Sequence, residues 1–344
     1  MSVTIVAGPR QVEPANIERA LEELWISLPP SGGPASTPMS MRAVVANLIA
    51  VRDSDEETTT ASEVIGNIIG HDPCRVILVT SEPDVDPPGL IAEVAVISQK
   101  SATCQRCVCC DQIRLAARGI MADNLPSMTA ALFVPDLPVV VWWPKPPLTR
   151  KDFTLFAEQA DRVIVDSAGY SRDDLRQLAR FVEQSRQTGT TVSDLNWARL
   201  TAYRQIFAQF FDAQECRDHL AMIQSLNIEA DVSTGLLLAG WLKAQLDKSG
   251  SVLPSDRISL VVTNPAKGCS FNSIVMNCSE GKHSFAVTCA DACTLEARAT
   301  HEAQVLTRIA KAKVPTVDKL LGEEITFLGR DTVFEAALAA AAAL

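Results

Sequence analysis

The run AVVANLIAV over Ala43–Val51, followed by RDSDEETTT over 52–60 and RVILVT over Arg75–Thr80, decides the fold class. A short helix is the other reading of Ala43–Val51, but the polar cluster Arg52–Thr59 bounds it at strand length. Arg75–Thr80 reads as a buried strand through Val76, Ile77, Leu78 and Val79. Between the two runs, Thr60 or Ser62 can cap a helix running to Ile69, and Gly70 suits its C-terminal turn. Strand, helix, strand of this kind is a βαβ element, so a largely parallel sheet is expected.

Working outward, Leu90–Ser98 and Cys109–Ala117 are strand-like runs joined by the polar, cysteine-bearing stretch Gln99–Arg106. Ile113 and Leu115 alternate with Gln112 and Arg114, which predicts a half-exposed antiparallel pair beside the parallel sheet. A helix at Asp123–Leu132, a strand at Pro138–Trp143 stopped by Pro144, Pro146 and Pro147, a helix at Leu148–Ala160, a strand at Arg162–Asp166 and a helix at Ser171–Gln184 follow. Upstream, Ile17, Leu21, Leu24 and Leu28 recur at helical spacing within Pro14–Leu28, and Pro29–Met39 is a Pro/Gly/Ser linker. Residues 1–187 are therefore expected to form an α/β domain, with a boundary in the polar stretch Ser185–Ser193.

Residues 188–344 read differently. Helices at Asp194–Phe211 and Thr234–Leu246 precede strands at Ile258–Thr263, Ser270–Asn277, His283–Cys289 and Thr294–Thr300, and the alanine-rich tail Thr332–Leu344 is helix-prone. The expected class is α/β and α+β: a mixed, mostly parallel sheet domain, then a helical plus antiparallel-sheet domain.

With 344 residues, two domains are the default. Apolar residues make up 47% and charged residues 21%, a globular balance. A net charge of −10 disfavours nucleic acid and anionic lipid as partners. No run reaches the length of a membrane span and no signal-peptide pattern follows Met1, so a cytoplasmic location is expected. In that compartment the ten cysteines are more often packing, ligand or redox thiols than a disulfide framework.

The sequence holds no GxGxxG, no GxxxxGK[ST], no HExxH and no GxSxG. His71 beside Asp72, Pro73 and Cys74 reads as a turn-packing histidine rather than a catalytic base. Cys104 and Cys107 have CxxC spacing, yet Cys109 and Cys110 point to opposite faces of a strand and chelate poorly together, so packing plus one exposed thiol is the cheaper account. Cys289 and Cys293 flank the short turn Ala290–Ala292 and form a candidate dithiol switch. Trp142 and Trp143 face opposite sides of one strand; one ring is a candidate interface anchor, and burial of both is the equal alternative. No metal, cofactor or catalytic residue is expected.

Five motifs carry a family resemblance. They are His71–Ile77 (HDPCRVI); Leu132–Pro144 (LFVPDLPVVVWWP); Asp194–Thr201 (DLNWARLT) with Arg204 and Phe210–Asp212; Leu236–Leu242 (LLLAGWL); and Asp331–Leu338 (DTVFEAAL). Together the chain resembles the glucose-6-phosphate dehydrogenase assembly protein OpcA family along nearly its whole length. It departs at Asp72, which interrupts a compact HPC pattern, and at Tyr203, where the family often has tryptophan. The resemblance implies a non-catalytic assembly factor or allosteric activator that binds glucose-6-phosphate dehydrogenase directly, with redox control in some members. It supplies no catalytic residues. Trp142, Trp143, Trp197 and Arg199 are the candidate partner-binding or structural positions; Cys104, Cys107, Cys289 and Cys293 are the redox candidates. The rival readings are a metal–thiolate or nucleotide-dependent enzyme, and a sugar-phosphate sensor binding between the domains.

Overall fold

A computed structural model describes residues 3–28, 39–99, 106–143, 145–146, 148–266, 268–327 and 329–344. In chain order the elements are β1 (Val3–Val12), α1 (Ile17–Ser27), β2 (Met39–Arg42), β3 (Ala46–Arg52), α2 (Asp55–Gly66), β4 (Cys74–Glu82), β5 (Gly89–Gln99) and β6 (Arg106–Arg118). Then come α3 (Leu125–Ala130), β7 (Val139–Trp143), α4 (Lys151–Ala157), β8 (Arg162–Val165), α5 (Arg172–Thr188), β9 (Thr191–Asp194), α6 (Leu195–Arg199), α7 (Thr201–Ala208) and α8 (Gln214–Asp218). The chain closes with β10 (Ile223–Ala230), α9 (Val232–Lys248), β11 (Ile258–Val262), β12 (Ser273–Cys278), β13 (His283–Asp291), β14 (Thr294–His301), β15 (Gln304–Lys311), α10 (Val317–Thr326) and α11 (Thr332–Ala342).

The first sheet has nine strands in the order β1-β5-β6-β4-β3-β7-β8-β9, with β2 also beside β6. From β6 to β9 all neighbours run parallel. The order β6-β4-β3-β7-β8-β9 is that of the doubly wound dinucleotide-binding fold, 3-2-1-4-5-6, with its switch point between β3 and β7. Both faces are covered. Ile49, Ile77, Val141 and Trp143 lie in one buried cluster with residues of α1, α4 and α5, whereas Leu48, Val76, Val140 and Trp142 lie in another with residues of α2 and α10. The two tryptophans thus face opposite sides, as strand geometry requires.

The first βαβ element differs from expectation in its helix. Capping falls on Ser54, not Thr60 or Ser62: Ser54 Oγ accepts from Glu57 N, and Asp55, Glu56 and Glu57 place negative charge in the first turn, where the helix dipole favours it. The polar cluster that bounds the strand is therefore already the helix start, and the helix ends at Gly66 instead of Ile69. The antiparallel pair is present, but β6 is also the third strand of the parallel set; β5 alone runs against that set, and β1 pairs antiparallel with β5. Thr191–Ser193, polar enough to read as part of the boundary, forms with Asp194 the buried edge strand β9 of the first sheet. Its polar groups are satisfied internally: Thr191 Oγ1 donates to Asp161 O, Ser193 Oγ accepts from Arg162, and Asp194 accepts from Ser167.

The second sheet has the order β11-β10-β12-β13-β14-β15, antiparallel except for the β10/β11 pair. Its inner face carries Ile274, Met276, Phe285, Val287, Leu295, Ala297 and Ala299, all buried. Helix α9 packs on this sheet through β10 and β11, and α11 lies along α9. Contact between those helices is close at Gly240, where an added Cβ would sit 2.2 Å from Ala337 O. That position in the LLLAGWL motif has no room for a side chain. Helix α11 also touches α5, so the C-terminus returns to the first sheet.

Candidate functional site

In a sheet of this order a ligand belongs at the carboxyl ends of the strands, beside the switch point. Here that place holds ion pairs. Arg52, at the end of β3, is buried; its guanidinium lies 4.0 Å from the Trp142 ring centroid and donates to Val51 O and Trp142 O. Burial lowers its pKa to about 10, so it remains charged at neutral pH. Arg150 bridges Asp53 at 2.6 Å and Asp152 at 2.6 Å while lying over Trp143. Lys145 closes the group onto Glu57. The space left among Val51, Arg52, Asp53, Glu57, Trp143, Lys145 and Arg150 is about 10 Å³, at most one water.

The turn that would cradle a pyrophosphate is Asp53-Ser54-Asp55-Glu56-Glu57, without glycine. A bound phosphate would displace the Ser54 cap and meet four carboxylates at a helix end that normally attracts anions. Charge and volume both oppose a dinucleotide here. Trp142 and Trp143, 5% and 3% exposed, are packing residues of this plugged end and not exposed anchors. Trp143 meets Phe153 edge-on at 5.2 Å.

The Asp194–Arg199 motif does a different job. Asp194 caps α6 by accepting from Asn196 N, and it also accepts from Ser167 N and Oγ. Full burial pushes its carboxyl up to about 6, and these hydrogen bonds limit the rise. Asn196 reaches Ser233 and Thr234 at the start of α9. Trp197, also buried, donates from Nε1 to Asp331 Oδ2 at 2.8 Å, and Asp331 in turn caps α11. Arg204 stacks 3.4 Å from the Trp197 centroid. Arg199 forms a two-pronged pair with Asp166, 2.6 Å on each side. This motif fastens the end of the first sheet to the helices of the second unit.

Of the redox candidates, Cys104 lies outside the described residues and Cys107 falls in β6, with nothing described of its side chain. Cys74 and Cys110 are buried, and burial pushes both thiols up to about 12, far from thiolate at neutral pH. Cys289 is bonded to Cys269, not to Cys293, which is exposed with its thiol free. The turn after Cys289 directs Cys293 N onto Asp291 Oδ1, and β13 brings Cys289 beside the loop that precedes β12. Sequence spacing favoured the near neighbour; strand pairing selects the distant one.

A feature with no sequence signature lies at one end of the second sheet. His283 and His301 are register partners on the inner face, next to Cys278. His219, in the helical turn after α8, stacks on His283 at 3.8 Å. The chain has four histidines, and only the folding of distant segments brings these three together.

Residues 66–183 match the family model described as the glucose-6-phosphate dehydrogenase subunit N-terminal domain, and residues 190–338 match that of the C-terminal domain. The chain is 28% identical over 194 residues to the putative OxPP cycle protein OpcA of Synechocystis sp., covering 54% of this chain and 39% of that protein. The match to its namesake in Synechococcus elongatus is 28% over 238 residues, 66% of this chain and 52% of that protein. The chain thus aligns with about half or less of these relatives. Among solved structures, KijD10, a 3-ketoreductase from Actinomadura kijaniata in complex with TDP-benzene and NADP, aligns over 86% of this chain and 94% of that chain at 9% identity and a TM-score of 0.46. A likeness that slight bears no functional weight.

Proposed function

The chain belongs to the OpcA family of glucose-6-phosphate dehydrogenase assembly proteins, and on that premise we propose that it binds glucose-6-phosphate dehydrogenase directly and assembles or activates it, without catalysis of its own. The observation that carries this reading is the plugged switch point. A dinucleotide-type strand order ends in acidic side chains and a void of about 10 Å³, whereas small-molecule sites need some hundreds of Å³. What that end of the sheet can offer is surface. An activator of this kind works by binding the active form of its partner more tightly than the inactive one.

The surface we assign to the partner is the outer face and free edge of the second sheet. Buried and more exposed residues alternate along β12, leaving one face of the sheet accessible. On the edge strand β15, Val305 and Ile309, 58% and 72% exposed, lie on the outer face, and the strand's outer backbone groups are available for pairing. The Cys269–Cys289 bond ties the loop before β12 to β13 of the same sheet, and we assign any redox input to that pair. Light scattering of the chain mixed with glucose-6-phosphate dehydrogenase from the same cell tests the reading. A complex is expected with the native chain, at least tenfold weaker with Ile309→Asp. A native complex that ignores Ile309→Asp moves the contact elsewhere; absence of any complex removes the proposal.

A further inference from the structure

We propose that His219, His283 and His301 form a three-imidazole site for a divalent transition ion of the zinc type, with solvent at the fourth position. Their candidate ligand atoms all lie within 4.8 Å of one another. His283 Nδ1 and His301 Nδ1 are 3.3 Å apart. Bonds of zinc–nitrogen length set tetrahedral corners roughly 3.4 Å apart, so two ligands already stand at the required spacing. His219, now stacked on His283, brings a buried Nδ1 that has no hydrogen-bond partner; a turn of that ring out of the stack aims it at the ion, which would offset its desolvation. The second ring nitrogen of His301 faces Cys216 Sγ at 3.7 Å. Cys216 is therefore placed as an outer partner of the His301 ring, in the position a carboxylate, carbonyl or water usually takes behind a metal-bound histidine.

The donor set chooses the ion. Three imidazoles with no carboxylate among them suit zinc, nickel, cobalt or copper, and are poor ligands for calcium or magnesium. The elements choose the consequence. His283 and His301 sit on paired strands, while His219 belongs to the helical excursion Gln214–Met222. An ion here pins that excursion to the inner face of the sheet, beside the Phe210–Phe211–Phe285 cluster. The ion's effect is to hold the excursion in place, and it is independent of the partner.

The test is a cobalt(II) titration of the full chain after chelator treatment, read by the visible absorption of four-coordinate cobalt and confirmed by zinc displacement. One equivalent is expected. His71→Ala, which removes the remaining histidine, leaves the titration unchanged, and Cys216→Ser weakens binding by about tenfold. His283→Ala abolishes stoichiometric binding; His219→Ala, on the covering turn and not in the sheet, does the same with less risk to folding. The proposal falls if the native chain takes up no cobalt at equimolar concentration, or if a folded His219→Ala variant binds as tightly as the native chain.

Discussion

Asp111→Ala lowers the unfolding free energy by about 3–5 kcal/mol. Asp111 is fully buried on β6 and is the counter-charge for a network that holds the N-terminal segment on the sheet. Its Oδ2 accepts from Arg75 Nη2 at 2.9 Å and from Arg42 Nη2 at 2.7 Å, and its Oδ1 accepts from Trp25 Nε1 at 2.6 Å. Arg75, 4% exposed, also donates to Leu132 O and pairs with Glu18 of α1. Without Asp111, Arg75 keeps only the half-exposed Glu18 as a counter-charge, Trp25 loses its acceptor, and β2 and α1 lose a common anchor. The loss of one partner of a buried pair costs more than the pair itself contributes, because the other charge stays desolvated. Arg42→Ala, at a side chain 45% exposed, costs no more than about 1 kcal/mol. Urea unfolding followed by tryptophan fluorescence measures both. A cost below about 1 kcal/mol for Asp111→Ala would show that the network is not the anchor described.

The second large effect is expected at Trp197. Trp197→Ala removes about 3–5 kcal/mol through the cavity alone, and it takes one partner from each of two charged groups besides. Asp331 loses the indole N–H, and Arg204, whose pKa burial lowers to about 10, loses the ring it stacks on. Phe334 of α11, 5.8 Å from the indole, loses its aromatic neighbour. Helix α11 should therefore loosen first: amide exchange across 332–342 rises well before global unfolding. Trp197→Phe keeps most of the packing and forfeits the Asp331 bond, for about 1–2 kcal/mol. If Trp197→Ala folds normally with unchanged exchange but no longer binds the dehydrogenase, the residue is a contact and not a keystone.

The parallel core was legible because its strands are apolar runs of the right length, and both halves of the βαβ element were found on that ground. What escaped were elements whose polarity is satisfied only by distant partners. Thr191–Ser193 reads as a linker because nothing local reveals that Asp161 O accepts from Thr191, that Arg162 donates to Ser193, or that Ser167 donates to the adjoining Asp194. Strands β1, β10 and β15 carry weak signals: Pro9 interrupts the first, Gln224 and Ser225 interrupt the alternation of the second, and the third has exposed apolar residues on both faces. Among candidate site residues, Trp142, Trp143 and Trp197 stand out in their motifs, but exposure cannot be read from a motif, and all three are interior. The Cys269–Cys289 bond and the histidine cluster depend on strand register, which spacing along the chain does not encode.

The most direct measurement is a steady-state titration of glucose-6-phosphate dehydrogenase from the same cell with this chain, at low and high substrate, before and after mild reduction. The account predicts a saturable rise in dehydrogenase rate at a fixed stoichiometry, with the reduced and oxidised chains differing through Cys269–Cys289. A rate that stays flat across the titration in both redox states, with no complex formed, would contradict it.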